Sequence, residues 1–412
     1  MFARIIKPAA LSLFALLILA WSAHGEVRFV DRSATGAKTG LTWDDAWKNL
    51  QTALRKAALN PAITEIWVAE GTYNPGDKYG RSTSFELVDG VKVLGGFISG
   101  GGLIHSRDPD RFRTILSGDI GVKDNFADNN YHVVTVDGQR SVTLDGFQIK
   151  FGNADAFTGE DSFGGGISIC NGSSIFIKDC LFKLNTARFG GAVSVDGVSE
   201  VGINSSEIKV NYALIGGGIY TFDSSSTRLD ACLLKDNYAV AEGGGVYSCR
   251  CSLSIYNSVF FVNRSGEQGG AVYVMENIDT FIVNATFVKN RSSAGGGAVY
   301  APLDGIELAN SILWRNAPDE YDLAPFPVTT VRNCCIHDYI PQPGWTDVIS
   351  TPPRFADKAL RIRPDSPCID SGDNAAMPHW IPFDRDGNPR IVTPTPGAPL
   401  VIDIGAYEVQ EP

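Results

Sequence analysis

Between about residue 160 and residue 317 the pattern of apolar and polar positions returns every 26–27 residues. One motif, Gly-Gly-(Gly/Ala)-(Ile/Val), ends at Ile167, Val193, Ile219, Val246, Val272 and Val299. A second, apolar-x-x-Asn, ends at Asn185, Asn211, Asn237, Asn263, Asn290 and Asn316. Two separate motifs that keep one period mark a stack of equivalent units. Between the glycines lie short alternating runs rich in β-branched and aromatic residues, such as Ile219-Tyr-Thr-Phe222 and Val246-Tyr-Ser-Cys249, which read as strands. A helical repeat would need longer runs of 3.6 period, and the glycines would break them.

A unit of this length, made of short strands and turns, is one coil of a parallel β-helix, with coils stacked at roughly 4.7–4.9 Å. Equivalent positions then form columns. Phe182, Ile208, Leu234, Phe260, Phe287 and Leu313 are all large and apolar and make an inward stack. Cys180, Ser206, Cys232, Ser258, Ala285 and Ser311 are all small. The Asn column suits side-chain amides that hydrogen-bond from coil to coil at a turn. The predicted fold is all-β, a right-handed parallel β-helix solenoid over 62–317, with irregular early coils before about 160. Residues 42–58 have helical spacing (Trp43, Ala46, Trp47, Leu50, Leu54, Ala57), so 26–61 is expected to be an N-terminal cap with an amphipathic helix plugging the open end of the rod. From Pro318 the repeat fades and proline becomes frequent, so 318–412 is expected to hold the last coils and a C-terminal cap.

Residues 1–25 read as a secretory signal: Arg4 and Lys7, an apolar stretch Ala9–Ala20, then Ala23-His24-Gly25. The mature chain is therefore expected to be exported, whether secreted, periplasmic or on the outer cell surface, with no transmembrane segment and as a monomer. Its charge would be 33 − 46 = −13, which argues against nucleic acid as a partner. All eight cysteines lie in the mature chain, but Cys180 and Cys232 share a column two coils apart, too far for a disulfide. The cysteines are read as buried small residues, with pairing left open for Cys335, Cys368 and the Cys249/Cys251 pair.

The Gly-Gly-Ala-Val and Phe-x-x-Asn motifs resemble the repeats of the polymorphic outer-membrane protein family, bacterial surface β-helices implicated in adhesion. Trp43-Asp-Asp-Ala-Trp47, Ile66-Trp-Val-Ala-Glu-Gly-Thr-Tyr73, Arg107-Asp-Pro109 and, near the C-terminus, Ser366-Pro-Cys-Ile-Asp-Ser-Gly372, Asp384-Arg-Asp-Gly387 and Asp403-Ile-Gly-Ala-Tyr-Glu408 resemble a broader set of secreted, pectate-lyase-like β-helix proteins. Together these cover nearly all of the mature chain. The resemblance implies the fold. It implies little about activity, because the fold hosts lyases, hydrolases and binders. The membrane barrel of the first family has no counterpart in this sequence, so self-anchoring is not expected.

Candidate chemistry is sparse. Arg107-x-Pro109 begins like the Arg-x-Pro-x-x-Arg motif of pectate lyases, but Phe112 stands where the second arginine belongs, flanked by Arg111 and Arg113. A structural Arg/Asp cluster is the favoured reading. The acidic candidates for a glycosidase pair, Asp119, Asp124, Asp128, Asp145, Asp155 and Asp161, do not recur in register, so no catalytic set is assigned. No metal-ligand spacing exists, and no cofactor is expected. Calcium is the one candidate ion, at Asp384-x-Asp386-Gly-Asn388, where a capping turn serves equally. The residue after each Ile/Val of the glycine motif is more suggestive: Ser168, Ser194, Tyr220, Tyr247, Tyr273, Tyr300. Alternation puts this row outside. Tyr220, Tyr247, Tyr273 and Tyr300 form the candidate ligand-binding strip for a polysaccharide or cell-surface glycan, set against a purely structural aromatic ladder. Lys183, Lys209 and Lys235 form a second outward column, read mainly as a solvated face that discourages aggregation. The expected function is non-catalytic glycan or surface binding, adhesin-like. The alternative is a polysaccharide lyase or glycoside hydrolase acting on an acidic polysaccharide.

Overall fold

The computed structural model describes residues 25–76, 80–325, 328–391 and 400–410. The expected export signal lies, but for Gly25, outside the described residues. Each regular coil passes through four parallel sheets. In one coil these hold Ser226–Asp230 (sheet 1), Leu233–Lys235 (sheet 2), Tyr238–Ala239 (sheet 3) and Val246–Cys249 (sheet 4). Among the described residues the sheets have eleven, ten, five and nine strands. Register advances by the sequence period: Asp230 pairs with Tyr256, Leu234 with Phe260, and Ile219 with Val246.

Single left-handed residues make the bends. Sheet 1 enters sheet 2 through Asp179, Ser205, Ala231, Asn257, Asn284 and Asn310, with φ between 47° and 55°. Sheet 2 leaves through Leu184, Val210, Asp236, Val262, Lys289 and Arg315, with φ between 53° and 60°. The Asn column follows that second bend and holds it. Each amide donates to the next coil's amide oxygen: Asn185 to Asn211 at 3.1 Å, Asn211 to Asn237 at 3.0 Å, Asn237 to Asn263 at 2.9 Å. Each also donates to a carbonyl of the coil before, as Asn237 does to Ile208 at 2.8 Å. The ladder ends on a carboxylate, since Asn316 Nδ2 donates to Glu320 at 2.6 Å. Glycine is required where the chain returns to sheet 4. Gly216 has φ 66°, and a Cβ on Gly217 would lie 2.6 Å from the Gly244 carbonyl oxygen.

The predicted inward row, Phe182 through Leu313, is wholly buried, and the small column beside it is at most 3 % exposed. Serines in that small column accept backbone N–H groups from the preceding coil, as Ser206 does from Cys180 at 3.1 Å. Cys334 continues the column, fully buried.

Both ends differ from expectation in detail. The helix spans Leu50–Leu59, shorter than 42–58, because Asn49 caps it by accepting from Gln51 N at 2.7 Å. Trp43 instead stacks outside sheet 1 on Phe29 and Phe97, with centroids 4.7 and 5.4 Å away. Trp47 pairs with Val30, whose strand Glu26–Val30 begins sheet 1. Leu50, Ala53, Leu54 and Ala57 enter the core cluster of the rod, so the helix does cover its first coils. At the far end, Tyr339, Trp345 and Val348 pack against the last core residues. The chain beyond Pro353 does something else: it turns back along the outside of sheet 2. There Leu360, Ile362, Cys368, Ile404, Ala406 and Tyr407 cover Val259, Val288, Ile312 and Trp314. Arg390, 1 % exposed, anchors this tail by donating to Asn257 Oδ1 at 2.8 and 2.9 Å and to the Gly405 carbonyl at 2.6 Å.

Candidate functional site

The register of sheet 4 places Glu86, Thr135, Ser168, Ser194, Tyr220, Tyr247, Tyr273, Tyr300 and Asp322 in one outward column along the rod. The four predicted tyrosines are adjacent and parallel. Successive ring centroids are 5.3, 5.0 and 5.2 Å apart, with interplanar angles of 7°, 5° and 12°. Phe189, 5.3 Å from Tyr220, and Phe163 close one end of the stack. Tyr220 and Tyr273 are 7 % and 5 % exposed. The ring faces are therefore spent on one another. Tyr273 Oη already donates to Met275 Sδ at 3.8 Å, and the half-buried Tyr247 and Tyr300 are the least covered of the four. Burial pushes all four phenols up, Tyr273 to about 12, so each hydroxyl keeps its proton and can donate.

Carboxylates border the strip. Asp196 and Glu242 sit close enough to raise Tyr220 and Tyr273 further, and Asp322 follows Tyr300 in the column. Burial, and for Glu242 also Glu267, holds these carboxyls above their ordinary range.

At the N-terminal end the same face opens into a cleft of about 610 Å³ between the helix and the early coils, lined in part by Arg55, Glu86, His132, Asp137, Glu160 and Asp161. His132 Nδ1 lies 3.1 Å from the Gly164 carbonyl, which can only accept, so Nδ1 carries the proton. Burial lowers its pKa, leaving a neutral ring with Nε2 3.7 Å from Asp161. Cys170 also lines the cleft, but burial and Asp137 push its thiol up to about 12, so it is no nucleophile. Sequence reasoning named Asp161 and missed the rest, because a helix and irregular coils bring them together.

The other candidates are committed elsewhere. Arg107 pairs with Asp145 and donates to the Gly95 carbonyl, a structural clamp. Asp155 pairs with Arg81 at 2.7 Å, while Asp119 and Asp128 accept backbone N–H groups within their own loop. Asp384 accepts from the N–H groups of Asp386, Asn388 and Glu408 at 2.8–2.9 Å, the hydrogen bonds of a capping turn. No group of three His, Cys, Asp or Glu side chains suited to a metal occurs among the described residues. The lysine column is longer than predicted, since Lys150 pairs with Lys183 ahead of Lys209 and Lys235.

Parallel coils, a buried Asn ladder and one sheet-wide period make this chain a right-handed parallel β-helix. Residues 117–290 match the model of the right-handed β-helix region. More particularly, it carries polymorphic-membrane-protein repeats: residues 284–302 match the model of the Chlamydia polymorphic membrane protein repeat. Among solved structures, pectate lyase Pel9A superposes over 94 % of this chain and 98 % of its own, with a TM-score of 0.56 and 11 % identity. An iota-carrageenase complexed to iota-carrageenan fragments aligns over 70 % of this chain and 58 % of its own, with a TM-score of 0.34 and 15 % identity. No curated protein matches the sequence. The pectate lyase shares the fold, and a fold does not by itself carry an activity. Among the described residues no helix is long and apolar enough to cross a membrane.

Proposed function

We propose that this protein is an exported, non-catalytic β-helix that binds an elongated, uncharged glycan along the outer face of sheet 4. One observation carries the reading: a row of four tyrosines at coil spacing, with Tyr247 and Tyr300 only half-buried, runs toward a polar cleft and is bordered by carboxylates. Hydroxyls and carboxylates together suit the many hydroxyl groups of a neutral sugar chain. The same carboxylates would repel a uronate or sulfate. The nearby Glu160, Asp161 and Asp137, facing a neutral His132 and Arg55 in one cleft, favour a second reading, a glycoside hydrolase acting there. Secretion and surface exposure rest on the basic and apolar N-terminal segment. The test is a glycan array with the exported chain, followed by incubation with each bound polysaccharide and assay for new reducing ends. Binding without cleavage is expected. Cleavage would replace the first reading with the second, and an array without neutral ligands would remove both.

A further inference from the structure

The outer face of sheet 2 carries the opposite charge. Along it Lys150, Lys183, Lys209 and Lys235 stand in register, and the same column continues with Phe261, Val288 and Trp314. Where the lysines stop, the returning tail forms a second wall. Between tail and sheet lies a groove of about 610 Å³. Lys235, Lys289, Arg315, Arg354 and Lys358 line it against one carboxylate, Asp357, which is already paired with Arg361 at 2.8 Å. Arg354 pairs with Asp365 at 3.1 Å and Lys235 with Asp236 at 3.8 Å. Lys289, Arg315 and Lys358 are exposed and have no ion pair among the described residues. The floor is apolar: Phe261 and Phe355 are half-buried, with the Lys235 ammonium over the Phe261 ring at 5.4 Å, and Trp314 is 8 % exposed.

A chain of formal net charge −11 here gathers five cations, three of them outside any ion pair among the described residues, around an aromatic floor. Like charges stacked at coil spacing cost stability unless something offsets them. Glu207 offsets Lys209 and Asp236 offsets Lys235, while burial and the neighbours Lys183, Arg113 and Lys209 lower the pKa of Lys150. We infer that this groove, extended by the lysine column, binds an anionic oligosaccharide, one whose rings carry carboxylate or sulfate groups. A sugar face would lie on Phe355, beside the Lys235-covered Phe261, with its anions facing Lys289, Arg315 and Lys358. The overall negative charge disfavours a polynucleotide, whose uniform phosphate density would meet repulsion outside the groove. This site is on a different sheet from the tyrosine strip, so it stands or falls separately.

The experiment measures Kd of the full exported chain for oligogalacturonate, for a sulfated glycosaminoglycan fragment, for a neutral gluco-oligosaccharide and for single-stranded DNA of equal charge, at two salt concentrations. Binding of at least one of the two anionic sugars is expected, weakening with salt. Whichever binds decides between carboxylate and sulfate. The double variant Arg315→Glu with Lys358→Glu, both exposed, should weaken that binding at least tenfold, and Lys289→Glu alone several-fold, with unchanged thermal midpoints. Neither anionic sugar binding, binding insensitive to both variants, or DNA binding as tightly as the sugar would each overturn the inference. Loss of neutral-glycan binding in a tyrosine variant would leave it untouched.

Discussion

The residues that decide most in this molecule are buried polar ones. Each Asn of the ladder satisfies a bend that would otherwise bury unpaired backbone groups, and the ladder needs an acceptor at its last rung. Glu320 provides it, accepting from Asn316 Nδ2 at 2.6 Å and from the Asn316 N–H at 3.1 Å. Burial pushes its carboxyl up to about 7. Asp403, near the Arg390 anchor, is likewise pushed up to about 6 by burial. A carboxyl raised in the folded state contributes stability that is fully present below its unfolded value and is lost as pH rises through the folded one. Asp31 and Asp357 work in the other direction, because backbone and side-chain hydrogen bonds outweigh burial and hold them low. Stability should therefore peak on the acid side of neutrality and fall between about pH 4 and 7. Glu320→Gln keeps an acceptor oxygen and removes the titration. It should flatten that fall by about 3 kcal/mol, measured by urea unfolding across the range. An unchanged pH profile would show that Glu320 does not cap the ladder as an acid.

At the scale of the elements, a coil turns with almost no loop because single residues adopt left-handed φ. Val210 is one of them, with φ 57°, and its side chain is 42 % exposed. A β-branched residue there is strained, and its little-buried side chain returns little packing energy. Val210→Gly should raise stability by about 1 kcal/mol, visible as a higher thermal midpoint, since the gain from removing the strain exceeds the added chain entropy. A lower midpoint would mean that Val210 packs better than its exposure implies. These bends also explain what could be read in advance. Strands, inward rows and the Asn column follow from a period, and the period is in the sequence. The left-handed columns are not marked by one residue type: Asp179, Ser205, Ala231 and Asn257 share a bend without sharing a chemistry. The helix was legible from its apolar spacing, but its start was set by Asn49, a cap residue hidden inside the predicted run.

For the whole molecule, the rod is a set of long outward columns that differ in charge. The tyrosine row was visible because it repeats. Its stacking geometry, which covers the ring faces, is that of an aromatic ladder. The cleft around His132 was illegible, since the helix, the irregular coils and the 160–162 turn that build it share no period. The tail was illegible for the same reason. Its return along sheet 2 converts a column of lysines into a groove, and only tertiary packing shows that. Two faces then differ in character: a tyrosine strip bordered by carboxylates on sheet 4 and a basic, aromatic-floored groove on sheet 2. The most direct measurement is the affinity of the exported chain for a panel of neutral gluco-, manno-, galacto- and xylo-oligosaccharides, wild type against Tyr247→Phe with Tyr300→Phe. The substitution keeps every ring in the stack and removes two hydroxyls. Affinity for the bound neutral sugar should fall about tenfold, as expected for one to two lost hydrogen bonds, with no change in thermal midpoint. Equal affinity in the two proteins would contradict glycan binding on this face.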